Sequence, residues 1–555
     1  MRAMPTVTIS LSDLVGLLGR ELSLEELESL LFLHKCLVER VEGGELSIEV
    51  NADRPDMLSA EGIARALKLF MGLERPREYE AAEGDVVVRV DPSVLKVRPF
   101  ILCALIRDVK LSDEAVRQLM LLQEKLHSTY CRNRAKASIG LHDMDAVGRE
   151  LVYAALPPRE IRFTPLGEVE EMSGDEVLER VEKGREYAFL LKGFDRYPIL
   201  RDSEGRVLSM PPIINSSLTK VTPSTRNLFI DVTGVDFETV SRALNVVALN
   251  AAERGGFLEK VKVAYPDRLL ASPLLDTSSI RLELSLINGL LGLNLSAKEV
   301  VASLERMGYV ATASEEVVEA QPPPYRCDIL HPVDVVEDVA IGYGYDKITP
   351  IRPPRTQMGS LLSVTKLAKR VRDIMVGLGF QEVVSYTLTS PEVLSRDMLL
   401  ERVDAVTLEN PISHEYSCLR TWLIPILLSF LSHNKHVELP QKIFECGDVV
   451  LLDPLSSTST RVEKRLAAAI CDRKVGYEDV QANLYALLHN LGLQAWSIKP
   501  LNHPSFIEGR VASLVVEDVE VAMLGEIHPA VLARFEIQNP TACFELSLTK
   551  LLELM

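Results

Sequence analysis

The chain lacks most of the patterns that announce a chemistry. Its 8 cysteines and 10 histidines are scattered over 555 residues, with no CxxC pair and no ligand-like Cys/His spacing, so neither a zinc site nor a disulfide framework is indicated. A reduced, intracellular protein is expected. Long apolar runs are missing too: the longest, Leu423 to Leu431, is broken by Ser429 and is shorter than the roughly 20 residues that cross a bilayer. No basic-then-apolar leader is visible, and a cytoplasmic location is expected. Positive charge is in deficit. With 61 Lys and Arg against 79 Asp and Glu, the net charge is −18, whereas a general nucleic-acid binder carries a basic footprint. Any RNA contact must be local or supplied by another subunit.

What is present is length, enough for about three to four domains. Residues 1–84 alternate strand and helix signals: Thr6 to Ile9 is extended, and Ser23 with Glu26 forms a capping box opening an amphipathic helix. In EVNADRPDMLSAEGIARAL, residues Asn51, Asp53, Arg54 and Asp56 read as a strand-turn-helix connection rather than a polar site. From 85 to 268, β-branched segments such as Asp85 to Val90 and Tyr187 to Leu191 mingle with helices, giving an α+β module. Four phrases there concentrate polar residues: QEKLHSTYCRNR (123–134), GLHDMD (140–145), PILRDSEGRVLSMPPIINS (198–216) and TRNLFIDVTGVD (225–236). Arg132 and Arg134 read as the end of a helix, where the dipole alone favours cations. His142 and Asp143 read as a short loop, and Asn215 and Ser216 follow two prolines, positions where a scaffold presents functional groups. No Ser-His-Asp or metal-hydrolase motif occurs, so the residues by themselves indicate a polar-lined pocket.

Between 269 and 348, Ser296 and Glu299 form a second capping box, Val300, Val301, Leu304 and Met307 make an apolar stripe, and Gly308 ends the helix. Two helices and small strands suggest a winged-helix-like or three-helix module. The same region holds QPPPYRCDILHPVDVVEDVAIGYGYDKI, in which Pro332 and Asp334 start a helix that Gly342 and Gly344 stop. Asp334, Glu337 and Asp338 fall at i, i+3 and i+4 and are read on one face, with Val335, Val336, Val339 and Ala340 inward. Asp328 is placed to join them. Such a cluster suits a hard divalent ion; acids in a first turn are equally explained by the helix dipole.

This stretch, Arg-x-Asp-Ile, a gap, then Asp-x-x-Glu-Asp-x-Ala and Gly-Tyr-Asp-Lys-Ile, resembles a domain of the phenylalanyl-tRNA synthetase beta subunit. The four polar phrases resemble, in order, the editing domain of that subunit's archaeal and eukaryotic type. The resemblance implies magnesium ligands at Asp328, Asp334, Glu337 and Asp338, next to the alpha subunit. It implies an editing pocket that hydrolyses tyrosine wrongly attached to the phenylalanine tRNA, with Leu200, Ser209, Asp231 and Thr233 first and His127, Arg132, His142, Asp143, Asn215 and Thr225 in support.

From 349 to 555 the pattern is a long helix (Leu361 to Gly377), a strand (Glu382 to Leu388), a strand carrying Arg420, a helix, and a strand at Lys442 to Val449. This resembles the antiparallel core of class II aminoacyl-tRNA synthetases, but the Gly-rich strand leading into an ATP-holding arginine is missing. A catalytically silent copy is expected, with Glu526 and His528 as turn and cap residues. The fold class is thus α+β multidomain: an N-terminal region, an editing domain of mixed sheets and helices, a winged-helix-like domain and a silent class II-like antiparallel sheet domain. The resemblance implies ATP-dependent attachment of phenylalanine to its tRNA by an alpha subunit that binds both ATP and phenylalanine, with this chain editing and assembling a tetramer of two alpha and two beta subunits. A free-standing trans-editing deacylase and an inactive structural or RNA-binding scaffold are the other readings.

Overall fold

A computed structural model describes residues 5–353 and 358–555. The chain forms two compact units, Met1–Arg352 and Pro353–Met555.

The first unit begins with β1 (Thr6–Ser10), α1 (Leu11–Leu18), α2 (Leu24–Leu33), β2 (Cys36–Glu42), β3 (Glu45–Val50) and α3 (Ala60–Phe70). The three strands lie in the order β1-β3-β2. The expected capping box is formed, Ser23 Oγ accepting from Glu26 N and Glu26 returning to Ser23 N. The NADRPD turn is structural, as read: Arg54 makes a two-pronged, buried ion pair with Asp56, and Lys35 holds Asp53. Across 194 residues of sequence, Asn250 Nδ2 donates to Asp56 O at 2.9 Å, tying the turn to a later helix.

That helix belongs to the next layer. Its elements are β4 (Ala82–Val90), β5 (Phe100–Arg107), α4 (Asp113–Ser128), β6 (Ala137–Asp143), β7 (Glu150–Leu156), a short β8 (Arg162–Phe163) paired with β9 (Met172–Ser173), α5 (Gly174–Arg180), α6 (Glu182–Tyr187), β10 (Tyr197–Asp202), β11 (Val207–Met210), β12 (Ile214–Asn215), β13 (Leu228–Gly234), α7 (Phe237–Ala252), β14 (Phe257–Ala264) and β15 (Leu269–Ser272). Ten strands form one sheet in the order β12-β11-β10-β7-β4-β14-β5-β13-β6, with β15 added to β14. β4 runs parallel to β7 and β14, and the other pairs are antiparallel. One face, through Leu102, Ala104, Ile139, Ile230 and Val232, packs on α4, α7 and the N-terminal helices as a single core. The other face, through Val86, Val88, Cys103, Leu200 and Phe229, forms a second. Burial of such apolar faces, at about 25 cal/mol per Å², is the main force holding the layers together.

Three local expectations are corrected here. Tyr187 to Leu191 is not a strand but the end of α6 followed by a 3-10 turn. His142 and Asp143 belong to β6, not to a loop. Arg132 and Arg134 lie beyond α4 in a turn in which Arg132, Asn133 and Arg134 all have positive φ. Three successive left-handed residues reverse the chain, a device that no helical pattern shows.

The rest of the unit comprises β16 (Ile280–Glu283), α8 (Leu284–Leu291), α9 (Ala297–Arg306), β17 (Val310–Ala313), β18 (Val317–Gln321) and α10 (Pro332–Tyr343). The strands form an antiparallel sheet in the order β16-β18-β17, and the capping box at Ser296 and Glu299 is present. Gly344, with φ +106, ends α10, but Gly342 lies within it. A Cβ there would sit 2.0 Å from Ser303 O, so Gly342 permits the close approach of α9 and α10 rather than stopping the helix.

The second unit holds α11 (Ser363–Gly377), β19 (Gln381–Glu382), β20 (Leu388–Thr389), α12 (Pro391–Leu394), β21 (Cys418–Leu419), α13 (Ile424–His433), β22 (Gln441–Leu452), β23 (Thr460–Cys471), α14 (Tyr477–Leu491), β24 (Ser497–Pro500), β25 (Phe506–Val516), β26 (Val519–Ile527), α15 (Pro529–Arg534), β27 (Thr541–Ser547) and α16 (Leu548–Glu553). The expected strand from Glu382 to Leu388 is two separate pieces, β19 beside β22 and β20 beside β21. Seven strands lie in the order β19-β22-β23-β27-β26-β25-β24, with apolar cores on both faces.

Charges within this unit satisfy one another. Arg420 donates from Nη1 to Glu445 at 2.7 Å and from Nε to Asp448 O at 2.8 Å. Arg465 joins Glu463 and Glu545, and Glu545 Oε2 also accepts the N–H groups of Leu423 and Ile424 at the start of α13. His528 caps α15 through Ala530 N, and Glu526 accepts from Tyr477 N and pairs with Arg510. His528 is a cap, as read, whereas Glu526 belongs to β26 and not to a turn. Among the described residues no helix is long and apolar enough to cross a membrane.

Candidate active site

The two ends of the large sheet, β6 and β12, come together. They are not joined by a backbone ladder: Asn215 Nδ2 donates to Leu141 O at 3.2 Å, and α4 lies alongside. The seam encloses a cavity of about 420 Å³ lined by β6, β11, β12, α4 and the turn at Arg134. Its size is that of a pocket for a small ligand.

Asp231 reaches the cavity from β13, opposite Gly140 of β6. It is 2 % exposed. A burial this deep demands a partner for the carboxylate, and His142 Nε2 supplies one at 2.8 Å from Oδ1. Because that ring nitrogen faces a carboxylate, it carries a proton, and Nδ1 lies 2.8 Å from Thr219 Oγ1. Gly140 makes room for the pair: a Cβ on it would lie 2.3 Å from Asp231 Oδ1 and 2.7 Å from His142 Nε2. Thr233, two residues along β13, accepts from Arg98 Nε at 3.0 Å and meets Ser138 Oγ at 3.0 Å. Ser138 itself lines the cavity.

Ser209, on β11, is 2 % exposed, lines the cavity, and its hydroxyl has no partner among the described residues. An unsatisfied buried hydroxyl costs about 1–3 kcal/mol, a cost that a bound polar ligand or a water removes. His127 also lines the wall, but both its nitrogens are engaged: Nε2 accepts from Ile139 N at 2.8 Å and Nδ1 meets Glu124 at 3.3 Å. Burial lowers its pKa to about 4, so the ring is neutral near pH 7. Arg134 donates to Pro212 O, Ile213 O and Glu124 and lies 4.2 Å over the Tyr187 ring. Burial raises the Glu124 carboxyl, but the His127 hydrogen bond and the charges of Arg134, His127 and Lys183 outweigh it, and the pKa falls to about 2.

Of the ten residues expected at the pocket, His127, Ser209, Asn215 and Asp231 line it. Thr233 and His142 stand directly behind, bonded to lining residues. Leu200 is opposite Ser209 in the ladder but is buried in the core of the other sheet face. Asp143 and Thr225 bond each other at 2.7 Å and do not line the cavity, nor does Arg132, which is turned to a different surface cleft with Tyr130 and Arg242. Glu124, Arg134, Ser138, Lys183 and Thr219 were missed. The signal for Arg134 was the pair of arginines two residues apart: the left-handed turn exposes Arg132 and buries Arg134.

The acid quartet is arranged differently from the expectation. Asp338 does not share an outer face with Asp334 and Glu337. It is 3 % exposed, within 2.7 Å of Arg326 Nη2, and accepts from Tyr309 Oη at 2.6 Å. Asp328 takes the same guanidinium in two-pronged fashion. Glu337 is held by Lys35 at 2.7 Å, and Asp334 turns back to accept from the N–H groups of Leu330 and His331. Each carboxylate has a partner within the chain, and among the described residues no three His, Cys, Asp or Glu side chains are grouped to hold a metal ion. The oxygens are of the kind magnesium takes, but this chain alone does not assemble them into a coordination sphere.

Three family models match the chain: the Phe-tRNA synthetase beta subunit B1 domain at 4–73, the tRNA synthetase B5 domain at 280–345, and the phenylalanyl tRNA synthetase beta chain CLM domain at 349–548. The phenylalanine–tRNA ligase beta subunit of Pyrococcus furiosus is 42% identical over 556 residues, covering 99% of this chain and 100% of that one. That of Archaeoglobus fulgidus is 40% identical over 550 residues, 98% of each. A crystal structure of an N-terminal fragment of the Pyrococcus horikoshii phenylalanyl-tRNA synthetase beta subunit superposes with a TM-score of 0.60 at 41% identity, covering 61% of this chain and all of the fragment.

Proposed function

The chain belongs to the family of phenylalanine–tRNA ligase beta subunits, and from that premise we propose that it removes mischarged tyrosine from the phenylalanine tRNA in the cavity at Asp231 and Ser209. The supporting observation is the cavity itself, where a buried carboxylate stands with a buried hydroxyl that has no partner among the described residues. A synthetic site shaped for phenylalanine rejects an analogue that adds one hydroxyl only weakly, by about a hundredfold in a comparable synthetase. A second site selects that analogue by offering a buried polar group to the phenol, which phenylalanine would leave unpaired.

In this reading Asp231 is held by His142, which Thr219 holds in turn, Thr233 and Ser138 carry a hydroxyl chain to the wall, and Ser209 meets the substrate. Residues 85–268 are the editing domain, with 1–84, 269–348 and 349–555 as the flanking domains. The last is catalytically silent, its charges closed into the Arg420–Glu445 and Arg465–Glu545 pairs. ATP and phenylalanine are bound by the alpha subunit, two alpha and two beta subunits assemble in the cytoplasm, and charging of the tRNA requires that assembly. Magnesium at Asp328, Asp334, Glu337 and Asp338 enters this reading only as a site completed by docking of the alpha subunit, and no step depends on it. The test is deacylation of tyrosyl-tRNA by the reconstituted complex and by the isolated chain, with phenylalanine charging alongside. Charging by the complex without any tyrosyl-tRNA hydrolysis overturns the editing reading, and hydrolysis by the isolated chain at the full rate, with no alpha subunit bound in cells, favours a free-standing deacylase.

A further inference from the structure

β6 is an edge strand, paired on one side only with β13. The N and O atoms of alternate residues of such a strand point away from its partner. Ile139 is one of these, since its N–H goes to His127 Nε2 at 2.8 Å and its carbonyl accepts from Gln123 Nε2 at 2.7 Å. Leu141, two residues on, must point the same way, and its carbonyl does, accepting from Asn215. The register on the opposite side agrees: Met144 N donates to Asn227 O and Val235 N to Lys136 O, so the even-numbered residues face β13.

Of the outward groups at Ile139 and Leu141, three are taken by side chains. The fourth, the N–H of Leu141, has no partner among the described residues. Leu141 is 2 % exposed and lines the cavity. A buried backbone donor without a partner is rare in folded proteins. This one is also rigid, since side chains clamp its strand on both sides of it.

We propose that the Leu141 N–H is the donor that binds the ester carbonyl oxygen of the aminoacyl-tRNA and the negative charge that develops on it. The inference rests on the editing reading of this cavity. Water adds to the ester carbon, and the carbonyl electrons move to the oxygen facing Leu141. When the tetrahedral species collapses, the bond to the ribose oxygen breaks, that oxygen takes one of the two protons of the water, the other passes to solvent, and the free amino acid leaves as its carboxylate. A fixed amide dipole in a water-poor cavity stabilises the oxyanion without reorganising. His127 cannot take this part, because its two nitrogens are committed and its ring is neutral.

The test replaces the Leu141 amide by an ester, inserting leucic acid at position 141 of the full chain in complex with its alpha subunit. The side chain and every donor of the β6–β13 ladder stay intact, and only the Gly140 carbonyl, now that of an ester, accepts more weakly from β13. Loss of one oxyanion donor should lower kcat for tyrosyl-tRNA hydrolysis by about 10²-fold with KM little changed, while phenylalanine charging by the same preparation reports folding. An unchanged kcat overturns the proposal. A wild-type complex that does not hydrolyse tyrosyl-tRNA overturns instead the reading beneath it. If the ester chain fails to fold, the wild-type protein with ¹⁵N-leucine decides: the Leu141 amide resonance, assigned by its loss in Leu141→Met, should shift downfield with the non-hydrolysable 3′-tyrosylamido-3′-deoxyadenosine. A resonance that stays in place overturns the proposal.

Discussion

Two clusters of acids and cations in the first unit invite comparison: the cavity around Asp231 and the quartet around α10. In the quartet each carboxylate is already held, by Arg326, Lys35, Tyr309 or backbone N–H groups. In the cavity Asp231 is held from behind, while the Ser209 hydroxyl in front has no partner among the described residues. Spacing on the chain marks the quartet as a cluster that suits a divalent ion, while no motif marks the cavity. Hydrogen-bond capacity reverses that order, because a group whose bonds are filled inside its own chain has none left to offer a substrate.

The comparison breaks most visibly at Arg326. Its guanidinium joins Asp328 and Asp338 at the base of α10 and is buried. Removing one partner of a buried ion pair leaves charge uncompensated, at about 3–5 kcal/mol. Arg326→Met should therefore destabilise the chain by about that much in denaturant unfolding, while an equally radical Arg132→Met, on the exposed turn, should cost less than about 1 kcal/mol. Equal midpoints for the two would mean that the quartet is not cemented as described.

Asp231→Ala sharpens the cavity side. Hydrolysis of tyrosyl-tRNA should fall at least about 100-fold, or close to 3 kcal/mol, with phenylalanine charging by the complex near normal. Equal loss of both rates would show that Asp231 supports the fold and not the reaction. His142→Asn should give a smaller loss, since it acts through Asp231.

The next largest effect is in pH. His127 and His34, both buried, have pKa values lowered from 6.5 to about 4, in each case chiefly by burial. A lowered histidine pKa means that between pH 6.5 and 4 the unfolded chain binds more protons than the folded one, so stability falls as pH drops through that window and levels off below it. Each histidine contributes on the order of 3 kcal/mol to that loss. His127→Gln should remove from the pH dependence of unfolding between pH 6.5 and 4 the share of one histidine, on the order of 3 kcal/mol. An unaltered slope would mean that His127 takes up its proton without penalty.

Much of this was legible in sequence, and the failures are specific. Capping boxes at Ser23 and Ser296 were read correctly because they are short-range and use fixed spacing. Asp231 and Ser209 came from resemblance rather than from pattern, and the structure brings them to one cavity. Arg132 also came from resemblance, and the helix-end reading, which treated Arg132 and Arg134 alike, carried the helix through a turn with three positive φ values that buries Arg134 and exposes Arg132. Asp338 was assigned to an outer face because spacing places three acids on one side, whereas Tyr309 and Arg326, distant in sequence, draw it inward. The free Leu141 N–H was beyond any sequence reading. It depends on which side of β6 lacks a strand, a matter of topology that no residue type encodes.

The smallest effect expected is that of magnesium. Five carboxylates, the quartet and Asp53, share two cations, Arg326 and Lys35, so the cluster keeps an excess of negative charge that a divalent ion would relieve. Yet the chain alone gathers no coordination sphere, and binding stabilises only what presents a site. Added magnesium should thus leave the Tm of the isolated chain within error while raising that of the complex with the alpha subunit by a few degrees. Asp334 and Glu337 are the members not locked to Arg326, held only by backbone N–H groups and by Lys35, so a docked partner would draw on these two first. In Asp334→Asn combined with Glu337→Gln, size and helix propensity are nearly kept while charge is removed, and the magnesium response of the complex should shrink to that of the isolated chain. A response that survives the double substitution would place the ion elsewhere, and a response in the isolated wild-type chain would show that the quartet rearranges around magnesium without any partner.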